Sequence, residues 1–377
     1  MRSLILVALF MINTAFADEV VGFSAFENGD YSTAYPHLMQ SARDGNPEAM
    51  YLLGRMYQYG DGVAKNQTEA LNWYQKAAEK NNALAQLSLG FLYDLGEGVT
   101  QNYADAFQWY MKAAKQGNAI AQRNVGLMYS TGDGVKADNK MALQWFNKSA
   151  EQGYPRAQVN LAYAYIMGIG TAKNVNKALY WYQKAAEQGD TKAAYSLGLL
   201  YTGQEAGIAA DDSAAFYWFA QAANQGHIRA ANYLAFYYLK GYGVQADPQK
   251  AAYWYQIAAK SGEADAQAEF GQLLLTGTGV DKDYEQAVFW FTKSATQGEP
   301  LGQAKLGYMY LAGLGVEKNW VTAYAWLKLA ADNKNEYAIK ELKTLKTKLS
   351  AQDLKEANLL VKKFAPEPVK GKESAGE

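Results

Sequence analysis

The chain has 377 residues, a formal net charge of −1, 49% hydrophobic residues and no cysteine. That balance excludes the strongly basic surface of a typical nucleic-acid binder, and with no cysteine there are no disulfides and no thiolate chemistry. The length alone would suit two or three globular domains, but an internal period overrides that expectation.

Residues 1–17 read as a secretory signal. Arg2 supplies the positive charge, Leu4 to Ile12 the apolar run, and Ala15-Phe16-Ala17 a small-x-small cleavage site, which puts the start of the mature chain at Asp18. The expected location is the periplasm or the exterior of a bacterial cell. No later segment is long and apolar enough for a membrane span. Residues 18–45 make a shortened unit. There Ala34, Leu38, Ala42 and Gly45 keep a helical register, and Pro36 is expected early enough in that helix to be tolerated.

From 46 to 334 the chain repeats. Trp73, Trp109, Trp145 and Trp181 are 36 residues apart, one step of 37 reaches Trp218, and Trp254, Trp290 and Trp326 resume the 36. A period of this length is the mark of a helical solenoid, each unit stacking on its neighbours. In the third unit Ala121, Val125, Met128 and Tyr129 lie three and four apart on a first helix. Gly132, Gly134 and Val135 make a loop, and Ala142, Trp145, Phe146, Ser149 and Ala150 lie on a second helix that Gly153 ends.

A mid-helix position accepts only small residues: Gly54, Gly90, Gly126, Ala162, Gly198, Ala235, Gly271 and Gly307. Glycine within a helix costs about 1 kcal/mol against alanine, so a neighbouring helix backbone is expected to pass close by. The helix-ending glycine is replaced by Asn81 in the first unit and by Lys334 in the last. The Gly-x-Gly loops, such as Gly60-Asp61-Gly62, read as tight turns, because no strand precedes them and no Gly-Lys-Ser/Thr follows. Gly203 to Ile208 holds one extra residue, for which a local bulge is expected and no break in the stack.

Residues 335–364 leave the period and are expected to form capping helices. Ile339, Leu342, Leu345 and Leu349 make one stripe; Ser350 with Asp353 reads as a capping box before Leu354, Ala357, Val361 and Phe364. Their outer lysines suit a solvated end cap, with contact to an anionic membrane as the lesser alternative. Residues 365–377 are expected to be a disordered tail.

Segments such as Ala85-Gln86-Leu87-Ser88-Leu89-Gly90-Phe91-Leu92-Tyr93, Gly96-Glu97-Gly98-Val99, Ala106-Phe107-Gln108-Trp109-Tyr110 and Lys112-Ala113-Ala114 resemble Sel1-like repeats, relatives of the tetratricopeptide repeats. The resemblance covers about 46–334 in eight units. It implies an all-α fold, a right-handed α-solenoid (superhelix) of stacked antiparallel helix pairs, with first helices lining a concave face. It also implies a scaffold for protein–protein interaction. The layout is similar to that of exported, virulence-associated members from intracellular bacteria. That likeness implies a part in host-cell invasion and vacuole trafficking, through host membrane-traffic proteins. A periplasmic scaffold or signalling regulator, serving polysaccharide assembly or a sensor, is the alternative. The cysteine-paired branch of the family is a poor match.

No catalysis, cofactor or metal site is expected. The two histidines, His37 and His227, are in distant units, and His227 is expected to be a solvated turn residue. Adjacent acids such as Asp211 and Asp212 suit helix starts. The candidate binding stripe lies on the first helices: Asn124, Arg156, Asn160, Tyr163, Lys192, Ser196, Arg229, Tyr233 and Phe236. Arg156, Lys192 and Arg229 supply positive charge, the asparagines are expected to pair with peptide backbone, and Asp265 and Glu269 make an acidic end. The matching partner is an extended polypeptide with acidic and apolar residues; no nucleic acid is expected.

Overall fold

The computed structural model describes residues 19–204 and 207–365. The signal reading of 1–17 lies outside the described residues, as do 366–377 of the expected tail. Every regular element among the described residues is a helix, and they fall into two compact units, residues 1–188 and 189–377.

The first unit holds α1 (19–27) and α2 (Tyr31–Arg43), then four helix pairs. These are α3 (Pro47–Tyr59) with α4 (Gln67–Glu79), α5 (Ala83–Leu95) with α6 (Tyr103–Lys115), α7 (Ala119–Thr131) with α8 (Asn139–Glu151), and α9 (Pro155–Met167) with α10 (Val175–Glu187). The second unit pairs α11 (Thr191–Tyr201) with α12 (Asp212–Asn224), α13 (Ile228–Lys240) with α14 (Pro248–Lys260), α15 (Ala264–Thr276) with α16 (Tyr284–Thr296), and α17 (Pro300–Ala312) with α18 (Trp320–Asp332). It closes with α19 (Glu336–Lys346) and α20 (Ala351–Phe364). Within each unit a helix packs on its pair partner and on the next pair, as the solenoid reading requires.

The sequence sets the ends of each helix. Asn66, Asn102, Asp138, Asn174, Asp211, Asp247, Asp283 and Asn319 cap the second helices, each side chain accepting from backbone N–H of the first turn. The first glycine of a Gly-x-Gly loop ends the first helix in the left-handed region; Gly60, at φ +86°, returns its N–H to Met56 O at 2.8 Å. The second glycine lies against the preceding repeat, as Gly134 does against the Tyr103 carbonyl, where a Cβ has no room. These loops are packing devices.

The mid-helix glycine has a further cause beside the one expected. A Cβ at Gly126 would fall 2.6 Å from the Phe146 ring, and one at Gly54 2.6 Å from the Tyr74 ring. The closest neighbour is the side chain that follows each tryptophan; the expected helix backbone comes next, with the Ala142 carbonyl 3.2 Å from a Cβ at Gly126 and the Ala323 carbonyl 3.2 Å from one at Gly307. Phe146, Tyr74, Tyr110, Phe219, Tyr255 and Phe291 are all buried. Fully burying a side chain of this size contributes about 1.5–3 kcal/mol, so the small residue clears space for the main apolar contact of its repeat.

Two further local expectations are corrected. Pro36 is the sixth residue of α2, because Asp30 caps that helix and it begins at Tyr31. It therefore sits within the helix. Ile339 is 40% exposed; Ala338 and Leu345 are the buried residues of α19. The extra residue of the fifth repeat falls in a lengthened loop, as expected: α11 has 11 residues where the other first helices have 13, it ends on Thr202 in right-handed geometry, and the link to α12 is longer than in the other repeats. Residues 205 and 206 of that loop lie outside the described residues, and α12 packs on both α11 and α13.

The capping box forms as expected, with Asp353 N–H to Ser350 Oγ at 3.1 Å and Ser350 N–H to Asp353 Oδ2 at 2.9 Å. Phe364 stacks on Trp326 with ring centres 4.5 Å apart, and α19 and α20 cover α18. One stabilising device went unread. Gln86 donates to Ala78 O at 3.1 Å and accepts from Gln116 at 2.8 Å. Gln122 with Gln152, Gln158 with Gln188 and Gln267 with Gln297 repeat the arrangement. Buried amides thus stitch neighbouring repeats.

Candidate protein-docking face

The candidate residues divide between the units. In the first, Arg156 is exposed and Tyr163 is 50% exposed. Asn124 is only 7% exposed, and its carbonyl accepts from Arg123 Nη1 at 3.4 Å. Buried in this way, Asn124 does not meet the expectation of an amide open to a peptide. Its offset on the helix turns about 40° from that of Arg156 and about 60° from that of Tyr163. Asn160 is half-buried and accepts from Arg123 Nε at 3.0 Å.

Around these residues the face is apolar. Tyr59, Leu84, Phe91, Leu95, Ile120 and Met167 are all exposed on the same side of α3, α5, α7 and α9. The candidate set omitted them because it weighted charge and amides.

In the second unit Lys192 and Arg229 are exposed and Ser196 is half-buried. Arg229 Nε lies 3.7 Å from Glu263 Oε1. Tyr233 stacks on Phe219 at 4.8 Å between ring centres, with 15° between planes. Phe236 is 37% exposed, with Lys240 over its ring. The expectation for His227 is corrected. Its ring stacks on Tyr195 at 4.5 Å, and its Nδ1 caps α13 by accepting from Ala230 N–H at 3.2 Å. Burial, then Lys192 and Arg229, hold its pKa below the ordinary histidine value. The structure thus brings Lys192, Arg229, His227 and Tyr195 together.

Asp265 and Glu269 form the acidic end, joined by Glu299. Burial, then a hydrogen bond shared with Asp265, pushes Glu299 up to about 7. Burial also raises Glu269 and lowers Lys305. No group of three or more His, Asp or Glu side chains is placed to hold a metal among the described residues. No helix there is long and apolar enough to cross a membrane.

A stack of helix pairs with a varied first-helix face defines a helical-repeat scaffold. A Sel1 repeat family model matches residues 47–82, 83–118, 119–154, 155–190, 191–227, 228–263, 264–299 and 300–335, each segment opening on a first helix. The chain belongs to the Sel1 repeat family. Sel1 repeat proteins are protein-interaction scaffolds and typically non-enzymatic.

The chain is similar to a solved protective antigen present in uropathogenic Escherichia coli strains, which displays an SLR fold. The two are 34% identical over 94% of this chain and 84% of that one, with a TM-score of 0.55. It is also similar to a solved Sel1 repeat protein from Oxalobacter formigenes, 34% identical over 82% of this chain and 90% of that one, with a TM-score of 0.63. A shorter likeness, 37% identical over 59 residues, is to an exopolysaccharide production negative regulator of Rhizobium meliloti (strain 1021). That match spans 16% of this chain and 22% of the regulator.

Proposed function

We propose that this chain is an exported bacterial adaptor without catalytic activity. It binds a protein partner along the first-helix faces, and it acts where bacteria meet host cells, in invasion and vacuole trafficking, through a host membrane-traffic protein. The observation that carries the adaptor reading is the exposed first-helix face, apolar in one unit and charged in the other, raised on a framework whose own needs are met elsewhere. The signal-like residues 1–17 support export. The 34% identity to a protective antigen along 94% of the chain supports a setting of host contact. The second reading is an envelope scaffold or signalling regulator, favoured by the local likeness to the exopolysaccharide regulator.

The test is affinity capture with the mature chain, run on host-cell and bacterial-envelope extracts, beside a triple variant Arg156→Glu, Lys192→Glu, Arg229→Glu. The expected result is a protein captured from host extract and lost with the variant, while thermal stability stays near the parent. Exposed substitutions usually fall within about 0.5 kcal/mol each. A partner found only in envelope extract moves the reading to the second. Capture indifferent to the triple reversal removes these residues from the site.

A further inference from the structure

Arg123 occupies a packing position. In the other repeats the same register holds Tyr51, Leu87, Val159, Tyr195, Asn232, Ala268 and Ala304. Leu87, Ala268 and Ala304 are buried, and Tyr51, Val159 and Tyr195 half-buried. A guanidinium at this place is half-desolvated, and desolvating a charge is costly unless a counter-charge compensates. Within its unit, among the described residues, Arg123 has no carboxylate partner. Its Nε and Nη1 donate to the carbonyls of Asn160 and Asn124, at 3.0 and 3.4 Å, which fixes the plane of the fork and leaves Nη2 free. The charge acting on it is the like charge of Arg156. Arg156 also forms no ion pair within its unit among the described residues. Guanidinium does not escape by losing its proton. Two cations without a counter-ion, one held rigid by two amides, make a site that an incoming anion completes.

The surroundings define that anion's carrier. Ile120 lies three residues before Arg123 and Leu127 four after, so both share its side of α7. Leu84, Phe91 and Leu95 continue the apolar surface on α5, and Tyr163 and Met167 on α9. A lone inorganic anion would leave this surface wet. A peptide with a carboxylate beside large apolar side chains would cover both.

We propose that Arg123 and Arg156 form the carboxylate-recognition point of the first unit, receiving an acidic side chain of a partner segment whose apolar residues lie over Leu84, Phe91, Ile120 and Tyr163. The assignment rests on the adaptor reading and gives it a register: the acidic residue at the third and fourth repeats, the apolar ones reaching back toward the second. Planar two-donor recognition of a carboxylate by arginine supplies specificity as well as attraction.

The probe is an array of synthetic peptides with leucine and phenylalanine at fixed positions and glutamate, lysine or serine at the rest, read by binding of the labelled mature chain. The glutamate series is expected to bind about tenfold more tightly than the lysine series, and the preference should weaken with salt. Arg123→Gln keeps a donor for the asparagine carbonyls but removes the charge, and should cut the preference to about threefold or less. Arg156→Gln, at an exposed site, should reduce it as well and keeps the test open should Arg123→Gln fold poorly. A purely structural Arg123 would change melting and leave the glutamate-to-lysine ratio alone, and that result overturns the proposal. So does equal binding of the lysine series. If a protein captured by the full chain is released by the triple reversal yet ignores Arg123→Gln, this assignment fails and the adaptor reading stands. A silent array together with empty captures sinks both.

Discussion

Tyr59, Leu84, Phe91, Leu95 and Met167 give the amino-terminal unit an apolar first-helix face. The corresponding face of the second unit carries Lys192, Arg229, Lys240 and Asp265, with Glu269 and Lys305 half-buried beside them. The frame beneath is the same in both: apart from the shortened α11 the paired helices have one length, the second helices carry the same kind of cap, and a glycine or alanine faces a large side chain. The polar occupants of the packed register differ too. The first unit has Arg123, with a free donor; the second has Asn232, whose Oδ1 is buried without a partner. A repeat frame that meets its own packing and hydrogen-bonding needs leaves its exposed face free to vary, so two units of one chain can present different chemistry to different parts of a partner.

The comparison breaks most readily at the shared framework. Phe146 in the first unit and Phe219 in the second each fill the space that a mid-helix glycine leaves. Replacing either by alanine should cost about 3–5 kcal/mol, measured by urea denaturation. Equal costs would support a common frame. Only Phe219→Ala should also alter the binding face, because Tyr233 stacks on that ring. A Phe219→Ala chain as stable as the parent would mean the ring-and-glycine pairing is not what holds the repeat.

This division also explains what could be read from the residues alone. The tryptophan period, the helix ends and the glycine register were legible because backbone geometry admits few residue types at those places. Asn81 and Lys334 were read as helix-end substitutes from register, and both indeed have φ of +64°. The face was less legible. Asn124 differs from Asn160 only by burial, which depends on how deeply neighbouring helices seat. Stacking of His227 on Tyr195 joins α11 to the cap of α13, and no spacing rule shows it. Arg123 was visible as an arginine, but its meaning required knowing that its register is a packed one. The glutamine ladder had a signal, a glutamine recurring with the tryptophan period, that was passed over for want of any expected partner.

The second unit's acidic pair sharpens the contrast by pH. Glu299 has a folded-state pKa of about 7, above the ordinary glutamate value of about 4.3. The sign follows: the folded state binds the extra proton, so this group's contribution is fully present below about pH 4.3 and is lost as pH rises through about 7. His227 runs the other way, its depressed pKa giving stability that is present above about pH 6.5 and lost as pH falls. Glu299→Gln should raise stability near pH 8 by about 1 kcal/mol, less than a dry carboxyl would give because the pair is partly solvated. It should also leave a second unit that weakens on mild acidification, following His227. Melting curves between about pH 5 and 8 decide it; a variant with the parent's pH slope would show that burial does not raise Glu299.

The smallest effect compares the two helix ends that lack glycine. Asn81 and Lys334 adopt the same left-handed φ of +64°, but they should respond differently to glycine. A lysine there carries the full steric cost of a Cβ near the carbonyl, about 1–2 kcal/mol, and part of it returns on replacement after the added flexibility of the unfolded chain is counted. Lys334→Gly should therefore gain up to about 1 kcal/mol. Asparagine tolerates this conformation, and Asn81 Oδ1 also accepts from Gln86 Nε2 at 3.4 Å. Asn81→Gly should thus change stability by no more than a few tenths of a kcal/mol. Equal gains at both ends would mean that the first unit's asparagine is strained like the lysine and that its bond to Gln86 contributes nothing, which would weaken the case for the glutamine ladder as the stitch between repeats.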